Sequence, residues 1–231
     1  MLVLISANAI QAQNDIVVDP NASERILSGS FNAISVSGGI DLYLSQSANS
    51  AIAVSAAKEN YKEGIKTVIE NGTLKIFYDG EKNWNKKDRK LRAYVSFTDL
   101  QKVVASGACD VVIVGSLTVA TFSLQMSGAC DFKGTVKVNT LKINLSGASD
   151  VKISGTANTV DIEGRGASDV KGYGLATDIC NAHVSGASDV SITVNQILNA
   201  HASGASSINF KGAGLIKEMS SSGASDISRK G

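Results

Sequence analysis

Six aspartates of this chain, Asp110, Asp131, Asp150, Asp169, Asp189 and Asp226, each stand three residues after a glycine, at Gly107, Gly128, Gly147, Gly166, Gly186 and Gly223. A further copy keeps the glycine, Gly204, but carries Ser207 in place of the acid. Carboxylates recurring in this way can stack down one face of a β structure at about 5 Å, and a dense row of oxygen ligands is what Ca²⁺ takes, roughly six to eight at a time. The row also has a purely structural reading. Lys133, Lys152 and Lys171 fall two residues beyond three of the acids, on the same strand face. Like-charge repulsion at this spacing costs only about 1 kcal/mol in water, and interleaved ammonium groups offset it. Asp also accepts backbone N–H groups at turns, and the glycine-paired nonapeptide of calcium-binding repeats is absent.

A second set is made by departures from that repeat. Both histidines, His183 and His201, stand two residues before successive motif copies; Glu163 holds the same place one copy earlier, and Arg165 replaces the motif serine beside it. Glu163, His183 and His201 are zinc-ligand types, and Arg165 can face a small anion. A polysaccharide-active β-helix enzyme would use Glu163, Arg165, His183 and His201 together, an idea that rests on analogy between folds. A solvated polar ladder is the simpler reading, since seven outward slots gather two histidines by chance. The third set surrounds the only tryptophan, Trp84, with Lys82, Lys86, Lys87, Arg89, Lys90 and Arg92 against Asp79, Glu81 and Asp88. An aromatic among basic residues can contact a glycan or an acidic partner, with Trp84, Lys86, Lys87 and Arg165 as the ligand-binding candidates; a solvated connector is the alternative. No Walker loop, GxSxG, HExxH or CxxC occurs. The expectation is therefore a chain without catalysis and without a cofactor, with Ca²⁺ or Zn²⁺ as the lesser possibility.

The elements that must carry these residues follow from the period. The motif reads SGACD at 106 and 127, SGASD at 146, RGASD at 165, SGASD at 185, SGASS at 203 and SGASD at 222, with offsets of 21, 19, 19, 20, 18 and 19 residues. Such a period marks a solenoid in which each unit is one coil on the next. Counting from the motif serine, position +5 is Val111, Phe132, Val151, Val170, Val190, Ile208 and Ile227, and position −3 is Val103, Leu124, Ile143, Ile162, Ala182, Ala200 and Met219. Apolar residues thus alternate before and after the motif, as in short strands with one buried face. The glycine turns the corner between them. Two or three parallel strands per coil make an all-β fold, a right-handed parallel β-helix of about 19-residue coils over residues 101–231. Residues 24–100 lack the SGASD period and read as an N-terminal β region capping the solenoid, with Asn71-Gly72 as a hairpin turn.

Composition narrows the partners. The 231 residues carry 22 basic and 21 acidic side chains, a formal charge of +1 without a long run of one sign, so nucleic acid is excluded as an expected partner. No apolar run reaches the length of a membrane span. The start, MLVLISANAIQAQ, has an apolar stretch followed by small residues but no basic flank, the first Lys or Arg being Arg25. Residues 1–23 therefore read as the remnant of a signal peptide and a linker. Of the three cysteines, Cys109 and Cys130 share the motif position where later copies have serine, and Cys180 falls in an apolar column. All three read as small core residues; stacked neighbours hold their Cβ atoms slightly too far apart for an unstrained disulfide.

The order of FNAISVSGGIDLYLSQ (31–46), NGTLKI (71–76) and the SGACD and SGASD series resembles the head GIN domain family, presumed auto-transporter adhesins of exported bacterial proteins. The resemblance covers about residues 31–231. It implies a β-helical domain of unknown function in the periplasm, at the outer-membrane surface or outside the cell. It supplies no catalytic residues. The expected function is a non-catalytic exported module of the envelope that binds a glycan or a protein, with self-association left open.

Overall fold

The computed structural model describes residues 19–80 and 89–231, so the apolar start and Trp84, Lys86 and Lys87 lie outside the described residues. The chain runs through β1 (Ser23–Arg25), β2 (Ala33–Ser37), β3 (Asp41–Gln46), β4 (Ala51–Ser55), the short helix α1 (Glu59–Gly64), β5 (Ile65–Glu70), β6 (Thr73–Tyr78) and β7 (Arg92–Phe97). The periodic part follows as β8 (Lys102–Gly107), β9 (Asp110–Gly128), β10 (Asp131–Gly147), β11 (Asp150–Gly164), β12 (Asp169–Val184) and β13 (Asp189–Gly204). It ends with β14 (Ser207–Lys211), β15 (Leu215–Gly223) and β16 (Asp226–Arg229). The fold is an all-β solenoid of about seven turns of about 19 residues.

Each of β9 to β13 begins just after one motif and, where the period is kept, runs to the next. Such a strand must bend to close a coil. Against β9, β10 pairs in three runs, Asp131–Lys133, Thr135–Val138 and Thr140–Gly147, so the two or three expected strands per coil are three runs joined at two bends. Stacking is parallel, and each motif lies in register on the next: Asp131 lies beside Asp110 and Asp150, Phe132 beside Val111 and Val151. Alternation then sends one row inward. Val111, Phe132, Val151, Val170, Val190 and Ile208 are buried after the motif, and Val103, Leu124, Ile143 and Ile162 before it, all in one continuous core. Burying each such side chain stabilises the fold by about 1.5–3 kcal/mol. Met219 keeps the column but, in the last strand of its side, is 59% exposed.

The stack does not begin at residue 101. β2 pairs in parallel with β8 on one side and β6 on the other, and β3 likewise lies between β9 and β7. Residues 33–46 are thus already a coil, whose Ser37-Gly38-Gly39 corner underlies the first SGA corner, and β6 with β7 form a coil beyond it. Antiparallel strands edge that end: β5 on β6 through Asn71 and Gly72, both left-handed as the turn requires, and β4 on β7 with β1 outside it.

Candidate functional site

The corner is built first. From Ala129 to Ala205 the motif alanine N–H donates to the glycine carbonyl of the preceding coil, as Ala148 does to Gly128 at 2.7 Å, and the next residue but one repeats the link, Asp150 N–H to the Cys130 carbonyl at 3.0 Å. The side chain between them turns back into the core and donates to the carbonyl three residues earlier. Ser188 Oγ reaches Ser185 at 3.1 Å and Cys130 Sγ reaches Ser127 at 3.4 Å, so cysteine and serine do one job. At Gly147 the backbone is left-handed (φ +85°), and a Cβ there would sit 2.5 Å from the Gly128 carbonyl oxygen. The three cysteines are buried and free, and burial pushes the Cys180 thiol up to about 12.

With the corner fixed, the aspartates stack as one column, Asp110, Asp131, Asp150, Asp169 and Asp189, then Ser207 and Asp226. Partial burial and then the flanking Asp110 and Asp150 raise the Asp131 carboxyl; burial and then Asp110 raise that of Asp41 at the head of the row. Lys133, Lys152 and Lys171 form the parallel column. Lys171 bridges Asp150 at 3.4 Å and Asp169 at 3.8 Å. Among the described residues, Lys133 and Lys152 make no ion pair within 4 Å.

On another side, Glu163, His183, His201 and Ser220 are neighbours in register. The imidazoles lie 4.5 Å apart between centroids and tilted by 52°. The four predicted residues do meet in one open depression; there Arg165 lies 3.9 Å from Glu163, and His201 Nε2 lies 3.8 Å from Glu218, a residue outside the predicted set. Among the described residues no group of three or more His, Cys, Asp or Glu side chains is arranged to hold a metal ion.

A third feature breaks the repeat. Beyond the lysines each coil makes its first bend, and here two coils are longer than their neighbours. Between Val112 and Ser116 β9 has three residues where β10 has only Gly134, and between Lys171 and Gly174 β12 has two where β11 has only Ile153. The two bulges stand on either side of β10 and β11, which continue without a shift, and they wall a groove. Its floor carries Lys133, Lys152, Thr135 and Ser154, the hydroxyls of the last two 2.9 Å apart. Tyr173 forms the far wall at the tip of its bulge, 39% exposed, its carbonyl accepting from Thr193 Oγ1 at 2.9 Å and its ring covered by Lys211 Nζ at 5.0 Å. The signal was present in the offsets: 21, 19, 19 and 20 residues describe two short coils between two long ones.

A separate polar cluster ties down the start of the described chain. Asp19, 10% exposed at its side chain, accepts from Ser55 Oγ at 2.6 Å and Tyr94 Oη at 2.7 Å, with Arg92 at 3.6 Å. Burial alone would raise its carboxyl, yet these hydrogen bonds and the guanidinium hold it below the ordinary value. Burial and the bond to Asp19 push the Tyr94 phenol up to about 12.

This architecture is shared. A "putative adhesin" of Bacteroides fragilis NCTC 9343 superposes with a TM-score of 0.82 at 21% identity, over 92% of this chain and 98% of its own. A "putative lipid binding protein" of Parabacteroides distasonis ATCC 8503 does so with a TM-score of 0.70 at 19% identity, and a "putative adhesin" of Parabacteroides merdae ATCC 43184 with 0.67 at 19%, each over 92% of this chain and 98% of its own. At these identities the likeness shows the fold alone. No curated protein matches the chain. Residues 30–214, which hold the first coil, the hairpin and the motif copies up to 203, match the family described as "Putative auto-transporter adhesin, head GIN domain", and the chain belongs to that family.

Proposed function

We propose that this protein is a non-catalytic, exported β-solenoid module that works at the cell envelope by binding, as its family's description implies. The observation that carries the reading is the geometry of its polar residues. Outward side chains recur as rows of like groups down open faces, Asp on Asp and Lys on Lys, whereas an acid–base catalyst needs a few unlike groups converging in a cleft. Glu163, the best-placed acid for an enzyme, is exposed and engaged with Arg165. Export is supported by the family description and by the apolar start of the chain, and no helix among the described residues is long and apolar enough to cross a membrane.

The test is retention of the purified protein on isolated bacterial envelope and on its polysaccharide fraction, with a reducing-end assay on the same samples. Saturable retention without new reducing ends is expected. Lack of retention on every fraction overturns the reading, and so does release of reducing ends that Glu163→Gln abolishes. The same reading expects a melting midpoint indifferent to Ca²⁺, Zn²⁺ and EDTA, since a ligand of the folded state alone must raise it. A zinc-dependent rise lost in His183→Ala would instead make the histidine pair a metal site.

A further inference from the structure

We infer that the groove between the two bulges is a subsite for a linear acidic polysaccharide, which lays carboxylates against Lys133 and Lys152 and one sugar face against Tyr173. The inference rests on the reading of the protein as a binding module and names where it binds and what.

The bulges are the first support. The intervening coils show that 19 residues suffice to close a turn; the additions in β9 and β12 have no partner on β10 or β11, although Ile113 and Val114 pair with β3 and Gly172 with β13 on their far sides. Both fall at the same bend, and they flank one groove. Three strand spacings separate β9 from β12, roughly 14 Å, room for a short run of sugars along the solenoid axis.

Charge is the second support. Every charged residue lining the groove is a lysine. The aspartate column lies to one side, and it holds only Lys171 in ion pairs, leaving the two ammonium groups on the floor one coil apart and free to meet anions. A single small anion would use one of them; a chain with a carboxylate on successive units uses both. The third support is the wall. A half-exposed tyrosine, its ring position fixed by Lys211 and its backbone by Thr193, offers a flat apolar face, the complement of the C–H face of a pyranose. Thr135 and Ser154 add hydroxyls for a polar ligand. Ile113 and Ile153 add apolar lining that the C–H groups of a sugar can also cover.

The experiment is calorimetric titration of the full chain with trigalacturonate, with maltotriose as the neutral trisaccharide and sulfate as a probe of charge alone. Saturable binding of trigalacturonate that weakens with salt and exceeds that of maltotriose by at least about tenfold is expected. Lys133→Gln with Lys152→Gln should weaken it by roughly tenfold or more, because each lost charged hydrogen bond is worth that much. Tyr173→Ala should weaken it several-fold, and Lys142→Gln, away from the groove, should leave it unchanged. The melting midpoint of each variant checks that it is folded. The proposal is overturned if the groove variants bind as the parent does, if sulfate competes as well as the trisaccharide, or if the parent does not bind the acid oligomer. Parent and groove variants retained equally on envelope would sink the groove assignment while the module reading stands; a parent retained on no envelope fraction sinks the module reading itself.

Discussion

Each coil turns at the SGASD corner and again a few residues later, and the two turns obey opposite rules. At the corner the residues hardly vary from coil to coil, and the spacing of glycine, Ser or Cys and Asp never does. At the first bend β9 and β12 carry extra residues, one a tyrosine standing out into solvent, whereas β10 and β11 carry none. The difference is one of clearance. From Gly128 onward each corner lies against the backbone of the corner below, where a Cβ would meet a carbonyl oxygen, so repetition there is forced by stacking. At the bend Gly115, Tyr173 and Gly174 stand at the surface, where the chain can lengthen while Ile113 and Ile153 keep their places in the core. Repetition therefore marks what holds the solenoid up, and departure from it marks where the surface is free to be used.

The largest expected effect breaks or confirms the clearance argument directly. Gly147→Ala forces alanine into a left-handed backbone and a Cβ to 2.5 Å from the Gly128 carbonyl oxygen. Gly39→Ala meets the same conformation (φ +75°) with no atom nearer than 3.8 Å. The second should cost about 1 kcal/mol, for conformation alone, and the first more than about 3 kcal/mol. Urea unfolding of both variants measures it. Equal losses would mean that conformation, not contact between coils, keeps the corner constant.

Next in size is the paired deletion. Removing Tyr173 leaves Lys171, Gly172 and Gly174 opposite Lys152, Ile153 and Ser154, the register of an ordinary coil, and should cost under about 1.5 kcal/mol as a surface-loop change. Removing Ala148 shifts a corner out of register with both neighbours and should prevent folding to the native melt. Smaller still is Cys130→Ser. Its position already holds Ser149, Ser168, Ser188 and Ser206 in other coils, each buried, so the change should fall within about 1 kcal/mol. A larger loss by thermal melt would show that the Cys109–Cys130 pair, not the size of the side chain, holds that corner.

The same contrast explains what was legible beforehand. The solenoid, its inward columns, the Asn71-Gly72 hairpin and the stacking of Glu163, His183 and His201 all follow from periodicity, because a parallel stack in register turns sequence spacing into spatial contact. The strand, SGG corner, Asp41 and strand of 35–46 have the same sense as the repeat, but their place inside the stack did not follow, since β2 and β3 lie between strands that all come later in the sequence, β6 and β7 on one side and β8 and β9 on the other. The ion pairs of Arg165 and His201 were hidden for another reason, as they depend on rotamers of exposed side chains and, for Glu218, on a residue beside a bulge. The groove was hidden because alignment on the motif treats unequal offsets as drift. Read as inserted residues, the offsets of 21 and 20 locate both bulges.

The smallest effect tests whether the aspartate column is scaffold or site. Partial burial and the flanking Asp110 and Asp150 raise the Asp131 carboxyl, so the folded state holds that proton more tightly than the unfolded chain does. A group shifted in this direction contributes stability that is fully present below its unfolded value, about 4, and is lost as pH rises through its folded value. At neutral pH the ionised column is thus mildly unfavourable, with Lys171 offsetting part of the repulsion. Asp131→Asn, which resembles the protonated acid, should then raise stability at pH 7 by no more than about 0.5 kcal/mol, the scale of an exposed site. The gain should vanish below about pH 4. Asp19 works in the opposite sense: its carboxyl is lowered, so its contribution is present above the unfolded value and is lost as pH falls through the folded one. Melts of the parent and of Asp131→Asn between pH 3 and 7 separate the two, because only the ladder term changes between the proteins. A loss of stability in Asp131→Asn at pH 7 would reverse the reading of the column, since an acid that stabilises the fold while ionised and flanked by two others must be answering a cation.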